Sequence, residues 1–182
     1  MLSKKRVIIG ISVIAVVAAW LYCVIDINTR FPAPEYLEYS RSNPCVYNDL
    51  EITPLYSEIH TLQSIKDTYS YDPTSPGMQD NGNNRYVVYS VKVKNIGNKT
   101  LQFQPIRMEA FDSKTCWANG INPMDESKVS FTIMPGEEYT VMLVGLIGHN
   151  WLSDEQRAQL DAKTFRLVMS YYPQNIVLRF DE

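Results

Sequence analysis

The chain has 182 residues, 17 basic and 20 acidic, a formal net charge of −3 and 45 % hydrophobic side chains. That length holds one domain and little else, and that apolar share excludes a wholly disordered chain. Lys4, Lys5 and Arg6 precede every acidic residue, so residues 26–182 carry 14 basic against 20 acidic groups, a net −6, which argues against a surface that wraps nucleic acid.

Residues 7–25 form a run of nineteen without a charge. As a helix at about 1.5 Å per residue the run spans roughly 28 Å, close to the hydrocarbon thickness of a bilayer. The basic flank at residues 1–6 predicts a cytoplasmic N-terminal tail, and Asp26 begins the outer side. Trp20 and Tyr22 fall near the outer interface. A cleaved signal peptide is the competing reading, but Trp20, Leu21 and Val24 stand where its polar end belongs. Lipid attachment at Cys23 is disfavoured because Trp20, Leu21 and Tyr22 precede it instead of small residues.

Residues 26–44 read as a tether, with Phe31-Pro32-Ala33-Pro34 opposing helix. From Cys45 to the end, residues 45–182, the pattern has period two and predicts a β-rich ectodomain. Val87, Tyr89, Val91 and Val93 alternate with Val88, Ser90, Lys92 and Lys94, the pattern of a half-buried strand. Similar runs at 50–59, 101–104, 108–111, 129–133, 139–146, 165–171 and 176–180 bring the count to about eight strands. Asn95-Ile96-Gly97-Asn98 and Pro135-Gly136-Glu137 supply turn chemistry between them. Two short helices are expected. Residues 61–69 carry Leu62, Ile65 and Tyr69 at helical spacing, and Ser153-Asp154-Glu155-Gln156 has the form of a capping box. Residues 72–85 make the longest polar stretch and read as a loop. The fold expected is a mainly β, Ig-like antiparallel sandwich of about eight strands with one or two short helices, behind a single N-terminal transmembrane helix.

The segment from Tyr86 to Asn98, followed by Ile133-Met134-Pro135-Gly136-Glu137-Glu138, resembles the V-x-N-x-G … L-x-P-G-E layout of uncharacterised membrane-anchored, Ig-like (telokin-like) extracellular domains of Gram-positive bacteria. The resemblance covers residues 46–182 and implies fold and surface location. It carries over no functional residues. The polar insertion at 72–85 and the helix after Ser153 depart from its layout.

No nucleophile elbow, zinc-binding His pair, Walker loop or dinucleotide fingerprint is present. Glu58 and His60 share one strand face, two ligands where a metal needs more. His149 with Asp154 and Glu155 reads as a loop histidine beside helix-capping acids. No cofactor or metal is expected. Cys45 and Cys116 are the two cysteines outside the apolar run, a pair that can close a 71-residue loop worth up to about 4 kcal/mol if oxidised, or remain two free thiols. Trp117 and Trp151 lie in predicted loops, where exposed rings would contact a ligand and buried ones would plug the ends of the sandwich. The function expected is a non-catalytic binding module. Its partners would be the lipid bilayer, through residues 7–25, and another envelope protein, with no nucleic acid. A carbohydrate-binding module, or a surface hydrolase with an unidentified carboxylate site, is the alternative.

Overall fold

The computed structural model describes residues 4–74, 82–112, 117–148, 150, 153–160 and 163–181. Helix α1 (Lys4–Arg30) extends beyond the uncharged run of residues 7–25 at both ends. Its last turn is polar: Arg30 Nε lies 3.0 Å from Asp26 Oδ1, and the Thr29 hydroxyl donates to the Ile25 carbonyl at 2.7 Å. Within Ile8–Arg30 an 18-residue window reaches a mean hydropathy of 2.6, and nothing in its own unit covers it. The chain divides into two compact units, Met1–Glu35 and Tyr36–Glu182.

The second unit contains eleven strands among the described residues: β1 (Glu35–Tyr39), β2 (Cys45–Tyr47), β3 (Leu50–His60), β4 (Arg85–Asn95), β5 (Leu101–Phe103), β6 (Glu109–Asp112), β7 (Trp117–Pro123), β8 (Phe131–Ile133), β9 (Glu138–Ile147), β10 (Arg166–Ser170) and β11 (Gln174–Leu178). Nine follow the order β1-β11-β10-β6-β7-β9-β4-β3-β2, and β5 pairs with β8 separately. Strand β7 turns the nine-stranded sheet over on itself. Its first half, Trp117 to Gly120, pairs with β6, and its second half, Ile121 to Pro123, pairs with β9. Both inner faces then share one core. Val87, Tyr89 and Leu143 come from one sheet, and Ala110, Leu167 and Leu178 from the other. Gly145 marks the closest approach: a Cβ there would sit 3.3 Å from Ala110 Cβ, Ile121 Cγ2 and Val87 Cγ1.

The antiparallel sandwich and apolar helix agree with expectation, but three of the eleven strands were not anticipated. The tether at residues 26–44 is one correction. Residues 35–39 form β1 and join the sheet beside β11, where the Arg179 amide donates to the Tyr39 carbonyl at 2.8 Å, so the folded unit starts before Cys45. Among the described residues its core draws on residues from Tyr39 to Phe180.

Helix α2 (Leu62–Tyr69) starts where Thr61 caps it, its hydroxyl accepting from the Ser64 amide at 3.2 Å. The helix lays Ile65 on the outer face of β4 and β9, against Tyr86, Val88 and Val144. This explains why Val88 is as buried as Val87. The half-buried strand of the sequence reading is covered on both faces at its start, and Lys92 and Lys94 emerge past the helix. Helix α3 (Asp154–Ala158) carries the expected capping box, with Ser153 and Gln156 exchanging hydrogen bonds at 3.2 and 2.9 Å.

Candidate functional site at the turn-rich end of the sandwich

Three turns meet at one end of the sandwich. The β2–β3 turn places Asn48 and Asp49 at positive φ, 49° and 62°, the left-handed conformation that two-residue hairpin turns require. The Asp49 carbonyl accepts the Ile96 amide at 2.9 Å, which ties this turn to the one after β4. Asn95 exchanges backbone hydrogen bonds with the β8–β9 turn: its amide donates to Glu137 at 3.0 Å, and its carbonyl accepts from Gly136 at 2.9 Å. Gly136, at φ +80°, supplies a conformation that other residues rarely adopt.

The buried Asn95 side chain completes the lacing. Its Nδ2 donates to the Lys99 and Ile133 carbonyls, each at 2.8 Å, and its Oδ1 accepts the Gly97 amide at 2.9 Å. Gly97 passes so close to the β2–β3 turn that a Cβ would lie 2.7 Å from Asp49 Cβ. Glu137 Oε2 accepts from the Met134 amide at 2.9 Å and the Tyr139 hydroxyl at 3.3 Å. The Glu137 carboxylate accordingly raises the pKa of Tyr139. The N-x-G and P-G-E signatures are therefore the joinery of this end.

The residues between them face water. Ile96 is 48 % exposed, Met134 56 % and, on the same end of β2, Tyr47 42 %. A firmly held tip thus presents three large apolar side chains, Ile96 and Met134 from laced turns and Tyr47 from the adjoining end of β2. Next to it opens a cleft of about 500 Å3 between β2–β3 and β5. Leu50, Ile52, Phe103 and Met108 form its buried depth, with Leu101 and Met169 half-buried. Tyr47, Asn48, Gln102 and Arg107 stand exposed around it.

The sequence-predicted candidates fall elsewhere. Trp117 does not offer a contact ring. The alternation of β7 turns it inward with Ile121, leaving it 7 % exposed and edge-on to Phe165 at 5.3 Å. Its indole N–H has no hydrogen-bond partner among the described residues. Trp151, His149 and Cys116 lie outside the described residues. Cys45 is a buried free thiol on β2, and burial pushes its pKa up to about 11.

Glu58 and His60 do meet, 3.1 Å apart through Nε2, and His60 Nδ1 lies 2.8 Å from the Ser64 hydroxyl on α2. The Tyr69 hydroxyl donates to the same Glu58 oxygen at 3.3 Å. Burial, followed by Tyr56 and Glu58, raises the pKa of Tyr69. An acid–His–Ser chain has the connectivity of an activated nucleophile. It fastens the end of β3 to α2, and neither the β2–β5 cleft nor the smaller ones near Arg85, Tyr69 and Asn119 includes Glu58, His60 or Ser64 in its wall. Among the described residues, no three His, Cys, Asp or Glu side chains converge to hold a metal ion.

Ile96, Met134 and Arg107 were not singled out from sequence. For the first two a signal existed: each is a bulky apolar residue inside a turn motif, where small polar residues are usual.

The chain is similar to an uncharacterized β-sandwich protein from Clostridium difficile, at 12 % identity over 81 % of this chain and 96 % of that one, with a TM-score of 0.43. It is similar to the yjhA protein from Bacillus subtilis at 11 % identity, over 79 % and 99 % of the two chains, with a TM-score of 0.44. A functionally unknown protein from Listeria monocytogenes matches at 11 % identity over 70 % and 69 %, with a TM-score of 0.45. No curated protein matches the chain. Residues 37–176, from within β1 to β11, match the domain of unknown function DUF5028, and the chain belongs to that family.

Proposed function

We propose that this protein is a single-pass, non-catalytic interaction module displayed at the cell envelope, with an Ig-like sandwich that recognises another envelope protein through its laced tip. The observation that carries the reading is the tip itself, with Tyr47, Ile96 and Met134 exposed on turns that Asn95 and Gly136 hold rigid. Binding surfaces on loops need such a scaffold, and apolar side chains at the centre of a contact supply most of its energy. The Ig-like reading is supported by the pairings β3-β4-β9 and β6-β10-β11, whose order is the one that A-B-E and C-F-G strands take, with β7 as an addition between C and E. The anchor reading is supported by α1 and its basic flank; with that flank inside, residues 27–182 would lie outside a cell of the Gram-positive type that the sequence resemblance implies. The non-catalytic reading is supported by the acid–His–Ser chain bordering none of the clefts described above.

A photo-crosslinking side chain at position 96 or 134 in intact cells should trap one discrete partner, while the same group at exposed position 155 on α3 should not. Indiscriminate or absent adducts from the tip positions would remove the reading. Protease added to wall-stripped cells should digest the sandwich and spare residues 1–6. A mature protein that lacks residues 1–25 would replace the anchor with a cleaved signal.

A further inference from the structure

The β2–β5 cleft has a form that protein contact at the tip does not use. Its depth is apolar and buried, and its volume of about 500 Å3 falls within the range of small-ligand sites. Met108 and Met169, in that lining, have flexible thioether side chains that refit around different apolar bodies.

One short 3-10 turn, Pro105–Arg107, sets both the depth and the charge of the cleft. Pro105 is buried, the Arg107 amide donates to the Gln104 carbonyl at 3.2 Å, and the Met108 amide donates to the Pro105 carbonyl at 2.9 Å. Consecutive residues are thereby sent opposite ways, Met108 into the buried lining and Arg107 out to solvent. The Arg107 guanidinium makes no hydrogen bond or ion pair with the described residues. A guanidinium without a partner among the described residues, beside an apolar cavity, complements a carboxylate or phosphate, which it meets with two parallel hydrogen bonds.

We propose that this cleft binds a single-chain organic anion, with its apolar body against Leu50, Ile52, Phe103 and Met108 and its carboxylate or phosphate on Arg107. The domain is then a receptor for an acyl anion as well as a protein-contact module. The site shares Tyr47 and Asn48 with the tip, but its apolar depth and Arg107 lie apart from Ile96 and Met134.

The test uses residues 34–182, which contain the whole core of the sandwich. Fluorescence of dansylaminoundecanoate should rise saturably with one site, and dodecanoate should displace it. Dodecyltrimethylammonium should displace at least about tenfold less well, and Arg107→Gln should weaken binding about tenfold without moving the thermal melt, as the loss of a charge-assisted pair requires. Met169→Trp should fill the cleft and abolish binding, with crosslinking from position 96 unchanged. Competition between dodecanoate and lysophosphatidylglycerol distinguishes a free acid from a lipid, the tighter of the two naming the source. Non-saturable fluorescence, equal displacement by the cationic amphiphile, or an unaffected Arg107→Gln variant would overturn the proposal. So would tighter displacement by an acidic, leucine-rich peptide, which would make the cleft a protein site.

Discussion

Asn95 is the residue on which the end of the sandwich depends, and its removal has a calculable cost. Asn95→Ala deletes three hydrogen bonds, to the Lys99 and Ile133 carbonyls and from the Gly97 amide. Each contributes about 1 kcal/mol net, and the buried Ile133 carbonyl loses its side-chain donor, so the loss is about 3 kcal/mol. A domain of this size has a total stability of about 5–15 kcal/mol, so the variant remains folded but with its midpoint lowered. Urea unfolding of residues 34–182, followed by fluorescence of the buried Trp117, should show the midpoint fall by about 1.5 M at unchanged slope. Asn95→Asp separates hydrogen bonding from volume. A carboxylate keeps the acceptor for Gly97 but turns lone pairs toward two carbonyls, so it should be worse than alanine at pH 7. The buried carboxylate titrates above its unfolded value, so the deficit should shrink as pH falls and the group becomes neutral. Asn98→Ala, in the same turn but exposed, should stay within about 0.5 kcal/mol of the parent. A loss under 1 kcal/mol for Asn95→Ala, or an aspartate variant indifferent to pH, would show that the turns hold without this side chain.

Lys163 Nζ and Asp112 Oδ2 meet at 2.9 Å with both side chains nearly buried, so Lys163→Met should lower stability by about 1–3 kcal/mol through loss of this charge-assisted pair, measured by the same unfolding assay. Tyr171 is raised to about 12 by burial and then by Glu109, whose carboxylate its hydroxyl meets at 2.7 Å. A hydroxyl that holds its proton more tightly when folded loses stability as pH rises, so stability should decline from about pH 10 toward 12, and Tyr171→Phe should reduce that decline. With its thiol buried and raised to about 11, Cys45 should resist iodoacetamide at pH 8 in the folded protein and react in urea. Protection that persists in urea until reductant is added would instead establish a bridge to Cys116.

The eight strands legible in the sequence have either alternating apolar residues or an apolar run between turn residues. The three that were not legible lack both. Strand β2 has three residues, two of them exposed, and forms because the Asn48–Asp49 turn folds it back on β3. Strand β7 contains Asn119, Gly120, Asn122 and Pro123, all turn formers, yet pairs on both sides because it carries the crossing from β6 to β9. Local preference favours a loop there, and tertiary pairing overrides it. Trp117 was placed in a loop for the same reason, and once β7 is a strand its inward position follows. Helix α2 was legible because Thr61 and the Leu62, Ile65, Tyr69 spacing are local signals, whereas the meeting of Ser64 with His60 depends on how the helix leaves β3. The β2–β5 cleft was invisible for a stronger reason. Its lining comes from segments more than a hundred residues apart, and nothing local in Arg107 shows that it lacks a partner.

The turn motifs that hold this end of the sandwich and the surface that would bind a partner occupy the same turns but different residues. Asn95, Gly97, Gly136 and Glu137 direct their hydrogen bonds or close backbone approaches into the fold. Ile96 and Met134 sit between them with their side chains in water. Substitution at the first set changes folding, and substitution at the second changes only what the tip can touch. Ile96→Ser with Met134→Ser should therefore leave the urea midpoint within the shift that about 1–2 kcal/mol produces, because about half of each side chain already lies in water. The same pair should abolish crosslinking from a probe at position 47, which lies on the same end of β2. A stable double variant that still captures the partner would move recognition away from the tip. A double variant that unfolds would show instead that these two side chains brace the turns, and that their exposure has no bearing on binding.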